Sequence, residues 1–183
     1  MMKRVIVAGL LGGLVLMLWV FIANGIFGFR SRIDMKAVPN ERLVYQVLKE
    51  SIVEPGGYVS NPPLEPGAGF PGGEPVFSIR YSGLGHEAAG RLTFVHLTIA
   101  VLSAMIAAWL LWIGPGRTAQ YSRRVLFVAG IGLLFAIYAD LPRYDIGGYP
   151  LASALLLAAF DLVSWTLIGL VVAWRIRPER HPA

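Results

Sequence analysis

The sequence predicts an all-α membrane protein: four transmembrane helices with a small extracytoplasmic α+β insertion between helices 1 and 2. Three observations predict it. Hydrophobic residues make up 56% of the 183-residue chain, and the mean hydropathy is +0.62. Charged residues reach only 15%, against about 25% in ordinary soluble domains. Four apolar runs, Val5–Phe27, Leu92–Ile113, Val125–Leu141 and Leu151–Trp174, approach the ~20 residues needed to cross a hydrocarbon core about 30 Å thick.

Charge placement orients these runs. The net charge of +5 and pI near 9.8 come from basic residues at segment ends: Lys3 and Arg4, Arg117, Arg123 and Arg124, Arg175, Arg177 and Arg180. Short loops rich in Lys and Arg stay cytoplasmic. Both termini are therefore expected inside, in a multi-pass protein of the bacterial inner membrane. No basic face with interleaved aromatics is present to follow a phosphate backbone, so nucleic acid is not an expected partner. The absence of cysteine excludes disulfides, thiolate catalysis and Cys-ligated metal centres.

Residues 1–27 read as an uncleaved signal anchor, because Val5–Phe27 is longer than a signal-peptide core and no small-residue cleavage site follows it. Ala8, Gly9, Gly12 and Gly13 form a face that another helix can approach closely. Residues 28–91 form the expected extracytoplasmic domain, with balanced charge. Asn40 stands where an N-cap is expected. Leu43, Val44, Val47, Leu48 and Ile52 follow at helical spacing, which predicts an amphipathic helix over 41–52. The Pro/Gly-rich run from Glu54 to Glu74 is hostile to helix. Short strands are expected at 57–60 and 75–82, pairing as a hairpin. Its glycines lack the strand–turn–helix context of a phosphate loop. Residues 92–183 hold three spans and a cytoplasmic tail, and no internal repeat suggests a transporter built from inverted halves.

Two polar layers stand out. Asp161 lies eleven residues after Pro150, about 16 Å down its helix at 1.5 Å per residue. That count puts it near the bilayer middle, level with Ser103 and one turn from Ser164. A carboxylate there costs about 2.5–3.5 kcal/mol on insertion scales and must face protein. No other carboxylate, His or Lys is expected at that depth. Asp161 is therefore read first as a hydrogen-bonding fastener between helices and second as a proton or cation relay. The outer layer holds Asn24, His96, Tyr138, Asp140 and Arg143. His96, Tyr138 and Asp140 are the candidates for a quinone-type ligand; the competing reading is an interfacial network of mutually satisfied side chains. A bis-His haem lacks its second histidine, and Met105 is too far along its helix to serve. His86 and His181 have no companions at metal-ligand spacing. Neither a G-x-S-x-G elbow nor an H-E-x-x-H pair occurs. No catalytic residue, cofactor or metal is expected, and the chain is not read as an enzyme.

The pattern Asn40-Glu41, Gly56-Gly57-Tyr58 with Asn61-Pro62, Asp140-Leu141-Pro142, Gly148-Tyr149-Pro150, and Asp161 with Trp165 and Gly169 covers most of the chain. It resembles an uncharacterised family of small four-span bacterial inner-membrane proteins, marked by a G-x-Y extracytoplasmic segment and a D-L-P…G-[FY]-P turn between the last two helices. The resemblance implies the same architecture and supplies no activity. The family's turn is more aromatic; here Arg143-Tyr144-Asp145-Ile146-Gly147 takes much of its place, so a ligand held by an aromatic turn would not carry over.

The function expected from these features is that of an accessory or structural subunit of a larger inner-membrane complex. Its partners would be the lipid bilayer and other integral membrane subunits, met through helix packing and an extracytoplasmic docking domain. The alternatives are a small redox or quinone-linked membrane protein, and a proton- or solute-conducting protein centred on Asp161.

Overall fold

A computed structural model describes residues 2–34, 36–63, 65–69, 72–85, 89–114, 120–144 and 148–177, with backbone alone at 34 and 89. His86, Arg117, the turn residues 145–147, Arg180 and His181 lie outside the described residues.

The protein is mostly helical; the described residues include four helices long and apolar enough to cross a membrane and a two-stranded sheet. The first such helix is α1 (Met2–Val20), continued by a π-helical turn over Phe21–Ile26. A short α2 (Phe29–Asp34) follows, and then α3 (Glu41–Ser51). Strands β1 (Gly56–Ser60) and β2 (Phe77–Tyr81) pair antiparallel, with Tyr58 opposite Ile79. The remaining long helices are α4 (Ala89–Ile113), α5 (Tyr121–Phe135) and α6 (Leu151–Arg175). A π-helical turn, Ala136–Asp140, and a 3-10 turn, Leu141–Arg143, prolong α5. The third apolar helix therefore runs from Tyr121 to Arg143, longer at both ends than its apolar run.

The chain divides into two compact units, one of Met1–Lys36 with Arg91–Ala183 and the other of Ala37–Gly90. In the helical unit α6 packs against both α1 and α5. Its core gathers alanines and branched residues from four helices: Ala8 of α1, Ala104, Ala108 and Leu111 of α4, Val125 and Val128 of α5, and Ile168, Val172 and Ala173 of α6. This core fills the end that carries Met2, Arg124 and Arg175, here termed the arginine end; the opposite end is termed the hairpin end. Arg124 is itself buried there, its Nε donating to the Ala173 carbonyl at 3.2 Å. The Tyr121 hydroxyl donates to the Leu170 carbonyl. The Ala173 carbonyl lies in the last turn of α6, where intrahelical donors run out, and Arg124 supplies one.

The small face of α1 is used within the chain. Gly9 and Gly13 press on Met105 and Val101 of α4, and Gly12 faces Ala104, Ile168 and Val172. Close approach of this kind compensates for the weak hydrophobic drive between helices in lipid. The face is thus occupied by α4 and α6, and it offers no support for docking of a separate subunit.

In the second unit α3 occupies the stretch that hydrophobic spacing assigns to a helix. Asn40 takes the N-cap position expected of it, through its backbone. Asn40 has a left-handed backbone, φ 58° and ψ 41°, and its side chain makes no capping hydrogen bond. Its carbonyl receives the Leu43 and Val44 amides instead. Asn tolerates this conformation better than most residues.

Candidate functional site

The site is built around Phe160 and Asp161, adjacent residues of α6. The Phe160 ring is stacked between Trp19 of α1, with centroids 5.5 Å apart, and Phe29 of α2, at 5.0 Å. The Trp19 indole N–H donates to Ser164 Oγ at 3.0 Å, and Ser164 donates in turn to the Phe160 carbonyl at 2.8 Å. Aromatic stacking of this type adds about 0.5–1.5 kcal/mol per pair beyond area burial. Together these contacts fix the rotation of α6 at this level.

That rotation turns Asp161, half-buried, toward the end of the third apolar helix. There the π-helical turn brings Asp140 inward: it is fully buried, whereas Tyr138, two residues earlier, is 84% exposed. Asp140, Arg30 and Arg143 all lie close enough to act electrostatically on Asp161. Among the described residues no N–H or O–H of a fixed donor reaches either Asp140 oxygen. Arg143 Nε stands 3.3 Å from Asp140 Oδ1, yet its N–H is directed to the Ala139 carbonyl. Asn24 contributes by accepting the Arg30 backbone amide at 3.2 Å, which steadies the start of α2 beside the pair.

Asp140, expected in the outer layer, acts on Asp161 from the end of the neighbouring helix. The register between α5 and α6 is set by the Arg124–Ala173 hydrogen bond. From that level, at about 1.5 Å per residue, Asp161 lies ~18 Å and Asp140 ~24 Å toward the hairpin end. Counting down from Pro150 treats the hairpin as flush, but α6 starts farther out than the third helix ends.

Of the residues singled out from sequence, Asp140, Arg143, Asn24, Asp161 and Ser164 converge here. Ser103 is half-buried in α4, and no hydrogen bond joins it to Asp161. His96 is exposed on α4 and pairs through Nδ1 with the Leu92 carbonyl of its own helix at 2.7 Å. With Tyr138 turned outward and Asp140 inward, these three do not line one pocket. Arg30, Trp19, Phe29 and Phe160 belong to the site and were not anticipated. The signal for Trp19 was an indole N–H inside an apolar run, a donor that must find a partner when buried. Among the described residues no group of three His, Asp or Glu side chains is placed to hold a metal ion.

No protein-family model, curated protein or solved structure matches this chain.

Proposed function

We propose that the chain is a multi-pass protein of the bacterial inner membrane, with both termini cytoplasmic, that serves as an accessory subunit of a larger membrane complex. It joins that complex through its extracytoplasmic unit. One observation carries this reading: α3 has no buried residue, although it is built with an apolar stripe. Leu43 is 61% exposed and Val47 54% exposed. Beside it an open cleft of about 440 Å³ is lined by Tyr45, Leu48, Ile52, Val53, Ile79 and Tyr81, with Lys49 and Arg80 at its edge. A unit this small buries too little surface to be robust by itself, and contiguous exposed apolar side chains of this kind mark interaction surfaces.

Gentle detergent extraction followed by native mass analysis tests the proposal. Co-isolation of stoichiometric membrane subunits is the expected result, reduced when Leu43 and Val47 are replaced by Asp. A monodisperse, stable monomer would overturn it. A reporter fused after Ala183 checks the orientation, since cytoplasmic activity is expected there.

A further inference from the structure

We infer that the cleft between α3 and β2 is a strand-addition site: it takes an extended segment of a partner polypeptide, apolar at alternate residues and carrying carboxylates, as a third strand beside β2. The inference rests on the docking role proposed for this unit and specifies the chemistry of what docks.

The position of the cleft carries it. Ile79, Arg80 and Tyr81 are consecutive residues of β2, and all three line the cleft. Successive side chains of a strand point to opposite faces of its sheet. An opening that reaches three in a row, and no residue of β1, therefore lies along the outer edge of β2 rather than over a face. On its other side β2 pairs with β1. In an antiparallel ladder every second residue turns its N–H and C=O away from the partner strand. Among the described residues no further backbone hydrogen bond reaches Phe77–Tyr81, and an open edge of this kind is a template for another strand. An acyl chain in the same place would leave those N–H and C=O groups unpaired; a peptide pairs them.

The opposite wall is helical. Tyr45, Leu48 and Ile52 recur at helical spacing along α3 and its C-cap, and they give alternate side chains of an incoming strand an apolar surface. Charge selects acids. The unit Ala37–Gly90 holds six glutamates and only three Lys/Arg. Two of those three, Lys49 and Arg80, stand at the cleft, and no carboxylate lines it. Among the described residues neither cation has an ion-pair partner. A cationic cleft in an otherwise acidic unit favours acidic segments and rejects basic ones.

Hydrogen exchange of the full-length protein in zwitterionic-lipid nanodiscs tests this, with a blocked octapeptide alternating valine and glutamate as the probe. The probe should slow exchange across Phe77–Tyr81, and the same peptide with lysine in place of glutamate should not. Lys49 and Arg80 are exposed, so their replacement spares the fold. Lys49→Gln combined with Arg80→Gln should weaken probe binding about 2- to 30-fold, the loss of two exposed ion pairs. Absence of slowing at about 1 mM probe, equal slowing by both peptides, or unchanged affinity in the double variant would overturn the inference. So would slow exchange of the whole strand before any probe is added, which shows the edge filled from within the chain. Slowing by anionic-lipid nanodiscs alone assigns the cleft to lipid and overturns it too. Co-isolated subunits without probe binding overturn this inference alone; a stable monomer that binds the probe overturns the accessory role and leaves a peptide site.

Discussion

Substituting Gly13 isolates the packing of α1 against α4. A Cβ at Gly13 would stand 2.7 Å from the Val101 Cα and 2.9 Å from its backbone nitrogen. Those atoms belong to the partner helix backbone, so relief requires the two helices to separate by roughly 1 Å, given carbon–carbon contact distances of about 3.5–4.0 Å. Overpacking of this type costs about 1–3 kcal/mol. Alanine also raises helix propensity by about 1 kcal/mol over glycine, which would mask part of the loss. Gly130 of α5 provides the control, because a Cβ there meets nothing within 4 Å. The propensity gain is common to both substitutions and cancels in their difference. Gly13→Ala is therefore expected to be less stable than Gly130→Ala by about 1–3 kcal/mol. That corresponds to roughly 2–12 °C in thermal midpoint for a chain of this size. Thermal unfolding of both variants in one detergent, followed by circular dichroism, measures it. Equal midpoints would refute the close approach of α1 and α4 at this position.

Other substitutions test separate parts of the structure. Ser164→Ala leaves the Trp19 indole without its acceptor and should cost about 1–3 kcal/mol, with a shift in tryptophan emission. Phe160→Ala removes the ring stacked between Trp19 and Phe29 and should cost about 3–5 kcal/mol by thermal or denaturant unfolding. Arg124→Ala should destabilise by about 1.5–3 kcal/mol through loss of the charged hydrogen bond to the Ala173 carbonyl. Val47→Asp, on the exposed face of α3, should leave unfolding within about 0.5 kcal/mol of wild type while reducing co-isolation of partner subunits.

Much of the candidate site was legible as residue types in the wrong arrangement. Asp161 announces itself, since a carboxylate in an apolar run must be turned toward protein. Asp140 and Arg143 also stand out, but their place in a loop-like Asp-Leu-Pro-Arg stretch suggests an interfacial turn. Continuation of the helix through a π turn and a 3-10 turn carries Asp140 inside and leaves Tyr138 outside. A one-residue change in helical pitch rotates a side chain by about 100°, and periodicity taken at 3.6 residues per turn cannot register it. Arg30 was assigned to the outer segment; it enters the site because α2 belongs to the compact helical unit.

What the amino-acid order determined by itself was the set of elements: four helices long and apolar enough to span a bilayer, an amphipathic helix after Asn40, and a short hairpin around the Pro/Gly run. Those features are local, each written in the hydrophobicity and turn chemistry of consecutive residues. Tertiary structure alone decided that the glycine face of α1 is spent on α4 and α6, and that the Phe160 ring is stacked on both Trp19 and Phe29. Both depend on the axial offset and rotation of one helix against another. Interlocked shapes such as Trp19 on Phe160 and Gly13 on Val101 set those quantities, and no single segment encodes them.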